Sequence, residues 1–292
     1  IRDSLQAQLR FFEADIYLRR SQQLLEQAGS INATVSGASI SGEAVPTELL
    51  NELRETRRLA KLELQRSIEA ADASAELQPS SISPMLVKHV AYQRLFEMNP
   101  EPALQADLVE NARRAVELEP LGWPANELLA KALVITGRQR DALTTVSQYL
   151  IAGGDSPLAR QLLYQVALSS GAPGQAVPSM KVAMEKSPMD PGWPRTIARL
   201  LSAERDHNGA SDMWWQALAL DDSEQSIKTF VELELRRDKP NLARLQEAFE
   251  MNPDVTQSSP EMRSAMAAVL ALSGDTRTVS YTHLTLPTKV TV

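Results

Sequence analysis

Three consecutive windows of 34 residues place small and large side chains at the same positions, and this constrains the chain more than any other feature. With Pro157 as the first position of a window ending at Asp190, Leu163, Ala167, Gly171, Ala176, Ala183 and Pro188 fall at set offsets. The next window, Pro191 to Glu224, puts Ile197, Ala198, Leu201, Ala210, Trp214 and Ala217 in the same register. The preceding one, Trp123 to Ser156, contributes Leu129, Ala130, Leu133, Gly137 and Ala142. Small residues let two helices approach closely, large ones fill the remaining space, and a Pro stops the second helix. The pattern predicts antiparallel helix pairs, each unable to bury its apolar face without its neighbours. Composition agrees: aromatics are only 5% and there are no cysteines, which removes disulfides, thiol catalysis and cysteine metal sites.

These residues resemble the tetratricopeptide repeat family, with "LLAKALVITGRQRDAL" and "AVELEP" the closest stretches. Tyr149, Tyr164 and Glu232 depart from its small-residue positions. The expected fold is all-α, an α-solenoid of antiparallel helix pairs, a TPR-like superhelix, preceded by a long helical hairpin. The hairpin is expected over 1–79 with a Ser/Gly-rich loop at 29–46. The repeat array follows over 84–277, in units of about 84–122, 123–156, 157–190, 191–224, 225–255 and a truncated 260–277. In the first hairpin helix Leu5, Leu9, Phe12 and Ile16 recur at helical spacing. Leu50, Leu53, Ala60, Leu64, Ile68, Ala71 and Ala75 do so in the second, and the two stripes predict a seam between the helices.

Residues 278–292 are expected to be a non-native tail. Val279 to Thr288 resemble the translation of a widely used transposase sequencing adapter, and the chain starts at Ile1. It therefore reads as a bacterial, metagenomic gene fragment with native sequence ending near Arg277. Truncation after Gly274 is expected to leave Met266, Val269 and Leu270 without a covering helix, so that 260–278 frays.

Candidate chemistry is sparse. His89, His207 and His283 are the only histidines; they lie apart and lack clustered carboxylates, so no catalytic residue, metal or cofactor is expected. "GAPGQA" has the wrong spacing for a phosphate loop. Net charge is −7, which argues against nucleic acid as the main partner. No apolar run is long enough to span a bilayer. Trp123 and Trp193 each open a repeat in a Gly-Trp-Pro triplet and read as packing pegs.

The family resemblance implies a protein or peptide partner held on the concave face by the first helix of each pair. The positions that face it carry Lys131, Gln161, Gln165, Arg195, Arg199 and Arg236, with Glu127, Thr229 and Arg237 beside them. A mildly basic, amide-bearing stripe would suit an acidic or C-terminal segment. The expected function is a non-catalytic protein–protein interaction scaffold. The alternative is a docking or regulatory region of a larger enzyme, such as a transferase. Compartment, cytoplasmic or periplasmic, and oligomeric state are left open.

Overall fold

The computed structural model describes residues 2–41, 44–154, 156–251, 253 and 260–272. Among them every regular element is helical. The chain runs α1 (Arg2–Ser41), α2 (Thr47–Leu77), α3 (Ser83–Met98), α4 (Pro102–Leu118), α5 (Trp123–Ile135) and α6 (Gln139–Ile151). After these come α7 (Pro157–Ser169), a 3-10 turn (Pro173–Ala176), α8 (Val177–Lys186), α9 (Gly192–Ala203), α10 (His207–Leu218), α11 (Glu224–Leu235), α12 (Leu242–Met251) and α13 (Pro260–Leu272). Pro84, Pro102, Pro124 and Pro157 sit in the first turn of their helices, where a missing N–H costs nothing. The fold is an all-α solenoid of successive helix pairs, divided into two compact units, 1–154 and 155–292.

In the first unit α1 and α2 pack antiparallel; α2 buries Leu53, Ala60, Leu64 and Ala71 of its expected stripe, but α1 turns a different face to the seam. Ala7, Ala14, Ser21 and Ala28 of α1 are buried, and so are Leu53, Ala60, Ser67 and Ser74 of α2. The Ser67 hydroxyl donates to the Ala14 carbonyl at 2.8 Å, and the Ser74 hydroxyl to the Ala7 carbonyl at 2.9 Å. Side chains this short let the two backbones approach closely enough for a hydroxyl to reach the facing helix. The expected stripe lies outside: Leu5, Leu9, Phe12 and Ile16 are 57%, 63%, 59% and 49% exposed. Small side chains recurring every seven residues have outcompeted a stripe of large ones.

The Ser/Gly-rich loop expected at 29–46 is also corrected, because α1 continues as helix through Gly29 and Gly37 to Ser41. Ile31 and Val35 pack on Leu49 and Leu53 and hold the segment helical against its weak propensity. Thr34, Ser39 and Ser41 turn their hydroxyls back onto carbonyls of the preceding turn. The second helix of the hairpin is shared, since Leu64, Ala91 and Leu95 join α2 to α3 in one cluster. Ala70, Ala71 and Val87 join the same pair of helices in another, with Ala14 of α1. The hairpin and the first helix pairs therefore form one body.

The repeat register appears in burial. Ala112, Ala115, Ala130, Ala142, Ala167, Ala176, Ala198, Ala210, Ala217 and Ala248 are all fully buried. Between the helices of three successive pairs the chain needs one left-handed residue, supplied by Gly137 (φ 76°), Gly171 (φ 72°) and Arg205 (φ 64°). Each opens the turn that closes the first helix of its pair; Arg138 N donates to Leu133 O at 2.7 Å and Asp206 N to Leu201 O at 2.9 Å. At the start of α10 the Asp206 carboxylate accepts from Gly209 N at 2.8 Å.

In the second unit α10, α11 and α12 meet on a fully buried carboxylate. Glu234 accepts from the Ser211 hydroxyl and, at 2.6 Å, from Asn241 N. Asp212 accepts from both Arg237 (2.7 Å) and Arg244 (2.6 Å). Helix α13 packs on α12. In it Val269 and Leu270 are buried and Met266 is half-buried. The helix expected after Gly274 and the tail 278–292 lie outside the described residues.

Candidate functional site

The second unit contains a cleft of about 400 Å³ between α9 and α11, lined by Arg195, Arg199, Trp214, Asp221, Ser226, Thr229, Glu232 and Arg236 among others. Helix α9 contributes Arg195 and Arg199 one turn apart, and α11 contributes Thr229, Glu232 and, at its end, Arg236. Trp214 of α10 is buried, and its indole N–H donates to Ser226 O at 2.9 Å. That bond satisfies the ring nitrogen and fixes the start of α11.

One guanidinium is immobilised. Arg195 donates to the Asp221 carboxylate and, at 2.6 Å, to the Ser226 hydroxyl. Ser226 also accepts from Ser223 Oγ at 3.0 Å. Asp221 accepts in addition from Ser223 N at 3.0 Å, ahead of α11. Burial, and then the neighbouring Arg199 cation, draw the Arg195 pKa below the ordinary guanidinium value. The side chain nevertheless stays charged at neutral pH. The other two guanidinium groups are free to bind. The Arg199 and Arg236 side chains are exposed and make no hydrogen bond or ion pair among the described residues. The cleft thus sets three guanidinium groups against two carboxylates, one of which, Asp221, is already engaged.

The remaining predicted residues are placed elsewhere. Gln161 and Gln165 are exposed on α7 of the same unit. Lys131 lies on α5 of the first unit, paired with Glu127 at 2.6 Å. Arg237 turns onto Asp212 and Glu234 and holds the fold rather than the cleft. Asp221, Ser223 and Ser226 were not singled out as site residues. Their only signal in sequence is "DDSEQS", whose Asp221-Asp222 reads as a helix end.

Trp193 is buried with the Arg160 guanidinium 5.0 Å from its ring, and Arg160 is paired with Asp190. Trp123 is half-buried and packs on Tyr149 with ring centroids 5.3 Å apart and planes tilted by 52°. His89 and His207 lie in different units. No group of three or more metal-ligating side chains occurs among the described residues, and no described helix is long and apolar enough to cross a membrane.

The alanine register, the left-handed residue inside three of the pairs and the paired helices occur together. The described residues form an all-α array of helix pairs. No protein-family model matches this chain, and no curated protein matches it. Among solved structures it is similar to YrrB, described as a TPR protein with an unusual peptide-binding site. That likeness has 17% identity and a TM-score of 0.38, over 69% of this chain and 98% of that one. PilF of Pseudomonas aeruginosa is 17% identical with a TM-score of 0.34, over 89% and 99%. A human IFIT1 dimer with PPP-AAAA is 13% identical with a TM-score of 0.32, over 86% and 60%.

Proposed function

We propose that this TPR-like chain is a non-catalytic protein-interaction scaffold whose α9–α11 cleft takes an extended acidic segment of a partner protein. The observation that carries the reading is the pair of unengaged guanidinium groups, Arg199 and Arg236, flanking a cleft whose third arginine is held by Asp221 and Ser226. A fixed cation gives register, and two free ones supply charge-assisted bonds to carboxylates. Serine and threonine hydroxyls and Gln225 line the rest, which suits the polar backbone of an extended peptide. The local cationic excess stands on a chain of net charge −7, so selectivity for acidic segments is a property of the cleft and not of the whole molecule.

The test uses fluorescence anisotropy with the full chain and two labelled unstructured peptides, one rich in Asp and Glu, one rich in Lys. The acidic peptide should bind, and the Arg199→Glu/Arg236→Glu variant should bind it at least about tenfold more weakly, or ~1.4 kcal/mol, at unchanged helicity. Preference for the basic peptide, or full acidic-peptide binding by the variant, would refute the assignment.

A further inference from the structure

The α1 stripe is a second surface, independent of the cleft. Leu5, Leu9, Phe12 and Ile16 are about half to two-thirds exposed, on the side of the helix opposite the buried Ala7, Ala14 and Ser21. Phe12 is steadied at its base by Phe11, 6.1 Å away at 58°, which packs against the cluster of Ala14, Ala70, Ala71 and Val87. The face is therefore held by a core, not presented by a loose end.

We infer that this stripe is covered by the same stripe of a second copy of this chain, in a parallel pairing of the two α1 helices. Spacings of four, three and four residues place Leu9 and Ile16 at the a positions of a heptad and Leu5 and Phe12 at d. Ile16 at a and Leu5 at d follow the combination that favours two strands, whereas Leu9 at a and Phe12 at d do not. The flanks then decide direction. In the parallel pairing Asp15 faces the partner's Arg20 on both sides of the seam, across the g and e positions. Arg20 is exposed and has no ion pair or hydrogen bond among the described residues, whereas Asp15 is shared only with the exposed Arg19. Antiparallel pairing would leave Asp15 and Arg20 without this contact across the seam.

Size sets the strength. The four side chains leave on the order of 400 Å² of apolar surface per chain, about half of one partner's share in an interface of standard size. Beyond Ile16 the same positions carry Arg19, Gln23 and Glu26, so the interface ends after two heptads. Two heptads would be too few for free peptides. Here α1 is already held as helix by α2, so association does not bear the cost of forming the helix. The dimer is weak and reversible.

Sedimentation equilibrium of the full chain from about 1 to about 300 μM should show a monomer–dimer equilibrium with its midpoint inside that range. Leu9→Glu/Phe12→Glu should be monomeric throughout with the circular dichroism of the parent. Asp15→Arg and Arg20→Asp should each weaken association at least about fivefold, and the two together should restore it to within about twofold. A parent chain that stays monomeric throughout overturns the proposal, and its flotation with phosphatidylcholine vesicles would assign the stripe to lipid instead. Dimers that survive Leu9→Glu/Phe12→Glu overturn it as well. Dimers indifferent to the charge exchanges overturn the parallel pairing.

Discussion

Arg205 occupies a conformation that its two counterparts, Gly137 and Gly171, adopt without a side chain. Left-handed backbone costs a Cβ-bearing residue about 1–2 kcal/mol, partly offset because glycine loses more freedom on folding. Arg205 is exposed and its side chain makes no hydrogen bond or ion pair among the described residues. Arg205→Gly should therefore stabilise the second unit by about 0.5–1 kcal/mol, measured as a rise of a few degrees in melting temperature. A lower melting temperature would mean that the arginine is held there by something else. His89 is the opposite case. It is 2% exposed and neither ring nitrogen has a hydrogen-bond partner. Burial first, then the Lys131 cation, push its pKa from 6.5 down to about 4. The unfolded chain binds a proton there between these values while the folded chain does not. The stability contribution is thus complete above pH 6.5 and is lost as pH falls toward about 4, by up to about 3 kcal/mol. His89→Leu should flatten this acid limb when urea unfolding is compared at pH 7 and 4.5. An unchanged difference between the two pH values would show that His89 is not its source.

At the scale of elements, the α1–α2 seam shows which of two legible patterns a helix uses. The large stripe and the small stripe lie on opposite faces of α1, and only one can face α2. The small one wins because Ala14 and Ser67 allow a hydroxyl to bond across the seam at 2.8 Å, which bulky side chains would block. Ala14→Leu should cost about 1–3 kcal/mol through overpacking, whereas Leu9→Ala at high dilution should change stability by about 0.5 kcal/mol or less. Thermal melts of both variants check this, and a reversed ranking would place the seam on the other face. The helical extension of α1 to Ser41 has a similar lesson. Gly29, Gly37 and five serines between Ser21 and Ser41 read as a loop by propensity, but Ile31 and Val35 find Leu49 and Leu53. Tertiary burial outweighs local preference there.

On the scale of the whole molecule, the repeat period was legible because stacked pairs solve one packing problem again and again. Alanines at matching offsets mark where helices touch, and a glycine after the first helix marks where the chain must turn left-handed. The cleft was partly legible. Arg195, Arg199 and Arg236 were named from their helix positions, but their division of labour was not. Whether an arginine is free or engaged depends on Asp221 and Ser226, which approach α9 only when α11 stacks beside it. Arg237, adjacent in sequence to Arg236, is drawn to Asp212 by α10 and α12. Sequence alone thus determined the class of fold, the repeat boundaries as expectations and the acidic, cysteine-free character of the chain, because these follow from local periodicity and composition. Tertiary structure decided which face of α1 is buried, where α1 ends and which cations stay unpaired. Each of those is a competition between residues distant in sequence, settled by how closely two helices can approach.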